Sequence, residues 1–261
     1  MTSTTTNQPK GAKVALVTGA AKRIGRSIAL ALAQQGWDVI VHYRNSAQDA
    51  QATVEDICAF GRRAVAVQCD LNDEAAVKAL LPNAMQMLGP ISCVVNNASL
   101  FSYDCIADFS VAQMDAHMRA NLAAPILLAQ SLFELTSESG RSVVINLLDQ
   151  KLFNPNPDFL SYTLSKAALH SATTMLAQAL APRVRVVGVA PGITLVSGEQ
   201  SVEGFSKAHT LTPLGKSSTP EDVAQAVCFL ADAKAVTGTT LIVDGGQHLL
   251  PSQRDVMFIA Q

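Results

Sequence analysis

Tyr162 and Lys166 stand four residues apart in Tyr162-Thr163-Leu164-Ser165-Lys166, the spacing that puts two side chains on one face of a helix. An ammonium beside a phenol favours the phenolate. The pair is therefore expected to lower the tyrosine pKa from its usual value of about 10 and to make Tyr162 a general acid. Such pairs are common on protein surfaces, and position gives this one its meaning. It opens a helical stretch just after the apolar run Ser142-Val143-Val144-Ile145-Asn146-Leu147-Leu148, which ends at Asp149.

A second chemical stretch is Thr18-Gly19-Ala20-Ala21-Lys22-Arg23-Ile24-Gly25-Arg26, between the apolar run Val14 to Val17 and a helical pattern from Ile28. Strand, glycine-bearing turn and helix, in that order, are what a dinucleotide pyrophosphate requires. Gly19 allows a sharp turn, Gly25 allows close packing, and the free amides of the helix start, Ile24 among them, face the phosphates with the positive end of the helix dipole. Arg23 stands where a middle glycine is usual. A guanidinium at the mouth of this turn is expected near the adenosine ribose, gripping an extra phosphate. A solvated basic helix start is disfavoured, because cations there oppose the dipole.

The elements that must position these groups follow from apolar patterning. Trp37 to His42 reads as a second strand that runs out into His42-Tyr43-Arg44-Asn45-Ser46 with no acid before Asp49. An acid there would suit NAD, whereas Arg44 with amide and hydroxyl neighbours suits the 2′-phosphate of NADPH. A helix from 47 to 60 and a strand from 64 to 69 lead to Asp70-Leu71. Two roles stay open for Asp70: accepting from the adenine amino group while Leu71 packs the ring, or, like Asn72, capping the helix that starts near Asp73.

The strand 91 to 95 delivers Asn96-Asn97-Ala98-Ser99-Leu100-Phe101, small and amide residues that place donors beside the cofactor ribose. Phe101 stacks a planar substrate or serves as a core or lid residue. Residues 111 to 135 read as a helix interrupted near Pro125, with Asn121 either in a structural network or holding water. The strand 184 to 189 turns at Pro191-Gly192, where Ile193 is expected to meet the nicotinamide carboxamide. Residues 195 to 216, opening with Leu195, read as a substrate-covering loop. Thr219-Pro220-Glu221-Asp222 starts a helix, and 239 to 243 is a last strand.

Composition sets the bounds. The chain has 261 residues, 49% hydrophobic and 15% charged, which fits one α/β domain with a large core. A net charge of -2 without a basic stripe argues against nucleic acid or an anionic membrane as partner. Residues 1–10 read as a disordered lead, 11–250 as the cofactor-binding domain and 251–261 as a tail whose apolar residues suggest docking on a neighbouring subunit. Five cysteines without paired spacing suit a reducing, cytoplasmic setting as small buried hydrophobes, and the scattered histidines lack metal-ligand spacing.

From about Lys13 to Gly246 the chain resembles the short-chain dehydrogenase/reductase family. The Thr-Gly turn, Asn96-Asn97-Ala98, Asn121, Tyr162-x-x-x-Lys166, Pro191-Gly192 and Val243-Asp244-Gly245-Gly246 fall in the family's order. The resemblance implies a single Rossmann-type domain with a parallel sheet of about seven strands, a nicotinamide cofactor, and dimers or tetramers. Asp149 stands where the family's catalytic serine is usual. With Arg23, Ser99-Leu100-Phe101 and the His42 to Ser46 stretch, this looks like the pteridine reductase branch. That branch implies roles for Arg23 on phosphates and pterin, for Phe101 against the pterin, for Asp149 with Tyr162 in proton delivery, for Lys166 on the nicotinamide ribose, and for Asn121 in a water relay.

Reducing a C=N bond calls for a proton at nitrogen, which Asp149 can relay through Tyr162 if enclosure raises its pKa. The expected activity is NADPH-dependent reduction of a dihydropteridine, a pterin or dihydrofolate. Rival readings are a reductase of 3-oxoacyl thioesters or other ketones, and a non-catalytic NADPH-binding sensor. Arg254 is expected to reach a neighbour's site.

Overall fold

The apolar runs become strands of one parallel sheet: β1 Val14–Val17, β2 Asp38–Tyr43, β3 Ala64–Gln68, β4 Cys93–Asn96, β5 Ser142–Leu147, β6 Val184–Pro191 and β7 Thr240–Val243. The computed structural model describes residues 13–196 and 201–259, so the lead at 1–10 lies outside the described residues. Strand order is β3-β2-β1-β4-β5-β6-β7. The register sets Ala15 beside both Val39 and Cys93.

Side chains alternate across the sheet, which fills both faces with aliphatics and explains the continuous apolar runs. Ala15, Val17, Val39, Val41, Ile145 and Val187 pack beneath α1 Arg23–Gln34, α2 Ala47–Ala59 and α8 Pro220–Asp232. Leu16, Ile40, Val94, Val144 and Val186 pack beneath α3 Glu74–Leu88, α5 Ala124–Leu135 and α6 Leu160–Leu180. Strand order reverses between β1 and β4. Crossovers therefore leave in opposite directions there, and a crevice opens at the carboxyl ends of the strands.

Several elements differ from expectation. The break in 111 to 135 falls before Pro125: α4 Val111–Met118 passes into a wide turn over Arg119–Ala123, where the Ala124 amide reaches back five residues to the Arg119 carbonyl. Pro125 has no N–H for the carbonyl of Asn121, four residues back, so the α-helical ladder cannot continue. The cap of α3 is Asp73, whose carboxylate accepts from the Ala75 and Ala76 amides, and neither Asp70 nor Asn72. The stretch 195 to 216 contains α7 Val202–Thr210, capped by the Ser201 hydroxyl on the Gly204 amide. The tail, read without secondary structure, contains a short helical turn, α9 Val256–Ile259. Cys69, Cys93 and Cys228 are buried, but Cys58 is exposed. Among the described residues no helix is long and apolar enough to cross a membrane, and no three potential metal ligands cluster.

Candidate active site

One cavity of about 1040 Å³ runs along the carboxyl ends of the strands, from Arg44 at one end to Met257 at the other. Its cofactor half begins at the β1 turn. Gly19 takes φ +64, and a Cβ on Gly25 would lie 2.2 Å from the Gly19 carbonyl oxygen. Only glycine lets the start of α1 approach the turn so closely.

Arg23 also has positive φ, 53°, a conformation that glycine adopts freely and that costs another residue about 1–2 kcal/mol. Its guanidinium donates to the Val196 carbonyl at 2.9 Å, on the segment after β6. Arg23 thus reaches the β6 side of the cavity.

Two residues expected to hold cofactor also hold the turn. His42 Nδ1 accepts from the Gly19 amide at 3.0 Å, and Nε2 meets the Cys69 carbonyl at 3.1 Å. Burial lowers its pKa to about 4, so the ring stays neutral with both nitrogens occupied. Asn97 donates its side-chain amide to the carbonyls of Thr18 and Gly19, while its backbone amide and that of Ala98 meet the Thr18 hydroxyl at 2.9 Å.

At the end of β2, Arg44 and Asn45 are exposed along the cavity with Tyr43 half-buried above them. Ser46 makes no side-chain cap bond to α2, and the nearby acid, Asp49, is tied to Lys22 at 2.9 Å. Asp70 accepts from the backbone and side chain of Asn72, contacts that hold its carboxyl below the usual range, and Leu71 lines the wall beside it. Beyond β6, the Ile193 amide donates to Gln247 Oε1 at 3.0 Å. Pro191 and Leu195 line the same wall. A Cβ on Gly192 would strike Ser217 and Asp244.

The reacting end centres on a short polar pair. Tyr162 Oη donates to Asp149 Oδ2 at 2.8 Å, and Asp149 Oδ1 accepts from the Lys151 amide at 2.8 Å. Burial raises the Asp149 pKa against the opposing pull of those two bonds, and Asp255 adds to the rise. Tyr162 is pushed well above its ordinary range, first by burial and then by the Asp149 carboxylate. This corrects the expected lowering by Lys166. The lysine donates to the Leu147 carbonyl at 2.7 Å and lies 5.9 Å from the centre of the tyrosine ring, so the nearest charge is the aspartate's. Burial also lowers the pKa of Lys166 itself, to about 8.

Phe101 is 42% exposed and crosses Tyr162 edge-on at 4.7 Å. Phe159, absent from the sequence expectations, stacks on Phe101 at 4.5 Å and 16°. It caps α6 in a left-handed conformation, φ 55. Every expected site residue lines the cavity except Asn121. Asn121 is buried in a network: Oδ1 accepts from Ser99 Oγ and the Leu100 amide, while Nδ2 donates to the Leu100 carbonyl and Ser165.

A family model described as enoyl-(acyl carrier protein) reductase matches residues 19–248. The chain belongs to the short-chain dehydrogenase/reductase family. This short-chain dehydrogenase/reductase is 33% identical over 245 residues to a 3-oxoacyl-[acyl-carrier-protein] reductase of Staphylococcus aureus, covering 92% of this chain and 100% of that one. An uncharacterized oxidoreductase of Methylorubrum extorquens is 35% identical over 242 residues, 90% of this chain and 97% of that one.

Among solved structures, the FolM alternative dihydrofolate reductase 1 of Brucella canis, complexed with NADP, superposes with a TM-score of 0.89 at 38% identity. The match covers 93% of this chain and 96% of that one. Its Brucella suis counterpart, also in complex with NADP, gives 0.86 at 37%, over 94% and 98%. The resemblance to the pteridine reductase branch holds at the level of these neighbours.

The sequence expectations also missed how this short-chain dehydrogenase/reductase uses its tail. Arg254 pairs with Asp158 of its own chain at 2.8 Å, and Asp255 with Lys151 at 3.1 Å. In the single chain, Arg254 thus turns inward, drawn by a buried carboxylate, and 251–257 lies beside the reacting end. The signal available was charge: two acids and two bases in otherwise polar turns, with no other evident use.

Proposed function

We propose that this chain is an NADPH-dependent reductase of dihydropteridines, a pterin or dihydrofolate, with Tyr162 as proton donor. The observation that carries the reading is the 2.8 Å bond between Tyr162 and Asp149, a carboxyl whose pKa is raised by burial. Once Asp149 is protonated, its O–H can serve the tyrosine oxygen while the phenol proton faces a substrate nitrogen. Reduction of a ketone also takes one proton, at its oxygen, which Tyr162 alone can deliver with a neutral hydroxyl beside it, so an acid that can relay a proton favours C=N over C=O.

The cavity fits an extended dinucleotide, with the β1 turn for pyrophosphate and Arg44 for a 2′-phosphate. The Brucella relatives crystallised with NADP support the same choice. The reduced nicotinamide supplies a hydride. In this reading Lys166 binds its ribose, Arg23 and the wall from Pro191 to Leu195 position it, and Phe101 with Phe159 offers ring faces to a planar substrate.

The staphylococcal relative favours a second reading, reduction of a 3-oxoacyl thioester. NADPH absorbance separates the two when dihydrobiopterin, dihydrofolate and an acetoacetyl thioester are offered in parallel, with NADH as control. Turnover of a dihydropteridine with NADPH, abolished by Tyr162→Phe and cut by Asp149→Ala, is the expected result. Turnover of the thioester alone would replace this reading by the second.

A further inference from the structure

Lys151 is 3% exposed, a burial that a lysine tolerates only with partners for its charge. Its ammonium donates to the Asp158 carbonyl at 2.6 Å and pairs with Asp255 at 3.1 Å. Its amide holds Asp149. The buried Asp158 carboxylate in turn accepts from Arg254 Nε at 2.8 Å and from the Asp255 amide at 2.7 Å. Two acids and two bases thus close a neutral network between the tail and the loop that follows β5.

A second route is aromatic. Phe258 lies 6.3 Å from Phe159 at 26° and meets Tyr103 edge-on at 5.4 Å. Phe159 carries Phe101, which leans on Tyr162. Both routes begin in the tail and end on the two halves of the reacting pair. Between them Pro251, Ser252, Val256 and Met257 face the cavity.

We propose that the C-terminal segment 250–258 is the outer wall of its own chain's substrate pocket, and that Lys151 is the positioning residue that couples this wall to Asp149. The inference rests on the reading of Asp149 and Tyr162 as the proton-delivering pair. The segment shapes where substrate lies, and Lys151 fixes the carboxyl that serves the tyrosine.

The test measures kcat and KM for dihydrobiopterin, and NADPH affinity by fluorescence titration, in Arg254→Ala, Lys151→Met and Lys151→Arg. Arg254→Ala loosens the wall and raises KM about tenfold with kcat kept. Lys151→Met removes the buried anchor of the loop whose amide holds Asp149 and lowers kcat about tenfold or more, the scale on which small misplacements act. Lys151→Arg restores most of kcat. All three bind NADPH as the wild type does, which separates positioning from general damage.

Unchanged kcat in Lys151→Met, or unchanged KM in Arg254→Ala, overturns the proposal. If Lys151→Met does not fold, the Arg254→Ala result decides. A wild type that reduces the acetoacetyl thioester but no dihydropteridine defeats the substrate reading alone, and the same variants are then read with the thioester. A wild type inactive on both overturns both.

Discussion

Replacing Lys166 by methionine stabilises the cofactor-free protein. Lys166 is 2% exposed, and burial brings its pKa from the usual 10.5 to about 8. At about 1.4 kcal/mol per pKa unit, keeping that charge folded at pH 7 costs on the order of 3 kcal/mol relative to the unfolded chain. Losing the bond to the Leu147 carbonyl gives back about 1 kcal/mol. The variant therefore gains on the order of 2 kcal/mol, about 4 °C or more in Tm for a chain of this size.

The sign of the pH dependence follows from linkage. Below about 8 the lysine is charged in both states and the full cost is present. Between about 8 and 10.5 the folded protein has released a proton that the unfolded chain still holds, so wild-type stability climbs with pH. The Tm difference is thus widest near pH 7 and shrinks toward pH 10, as read by thermal melts of both proteins at matched concentration. If Lys166 binds the nicotinamide ribose as proposed, saturating NADPH reverses the order, because the wild type alone gains that contact. A difference that is absent, or that grows with pH, refutes the reasoning.

If Asp149 must be protonated to relay, kcat for a dihydropteridine is flat in acid and falls as pH rises through the raised Asp149 pKa. Asp149→Asn removes that limb and lowers kcat about a hundredfold, and a limb that survives the substitution counts against the relay. Arg44→Ala weakens NADPH by about 10- to 100-fold, the worth of a charged hydrogen bond, and leaves NADH unmoved in parallel fluorescence titrations. Asp38 is buried, and bonds from Arg63 with the charges of Arg62 and Arg63 overcome the burial that would raise its pKa. Arg63→Ala costs about 2 kcal/mol in urea melts, and wild-type stability declines as pH falls through the depressed Asp38 pKa.

The sheet was legible in the sequence because its strands are covered on both faces and read as unbroken aliphatic runs. The Gly19 to Gly25 turn and the Thr219 cap were legible because their chemistry is local. What escaped was the allocation of side chains. Asn97 and His42 carry donors and acceptors that suit a ribose or phosphate, yet the Thr18-Gly19 turn needs partners for its own buried amide and carbonyls and takes them first. The direction of Lys166 depends on the Leu147 carbonyl across the sheet edge, which helical spacing cannot show. Phe159 sits at a helix boundary where no period applies. For α7 a signal existed, in Ser201 as cap and the Glu203–Lys207 pair at 3.2 Å, but glycine and serine masked it.

The left-handed Arg23 places durability and use in opposition at one position. Glycine there would shed the steric penalty of about 1–2 kcal/mol, add roughly 0.5–1 kcal/mol of chain entropy to the unfolded state and forgo about 0.5 kcal/mol from an exposed hydrogen bond, leaving a protein of about the same stability. It would also release the guanidinium that now spans from the start of α1 to the Val196 carbonyl. A screen for heat tolerance would therefore accept Arg23→Gly without complaint, while the two walls of the crevice lost their direct tie.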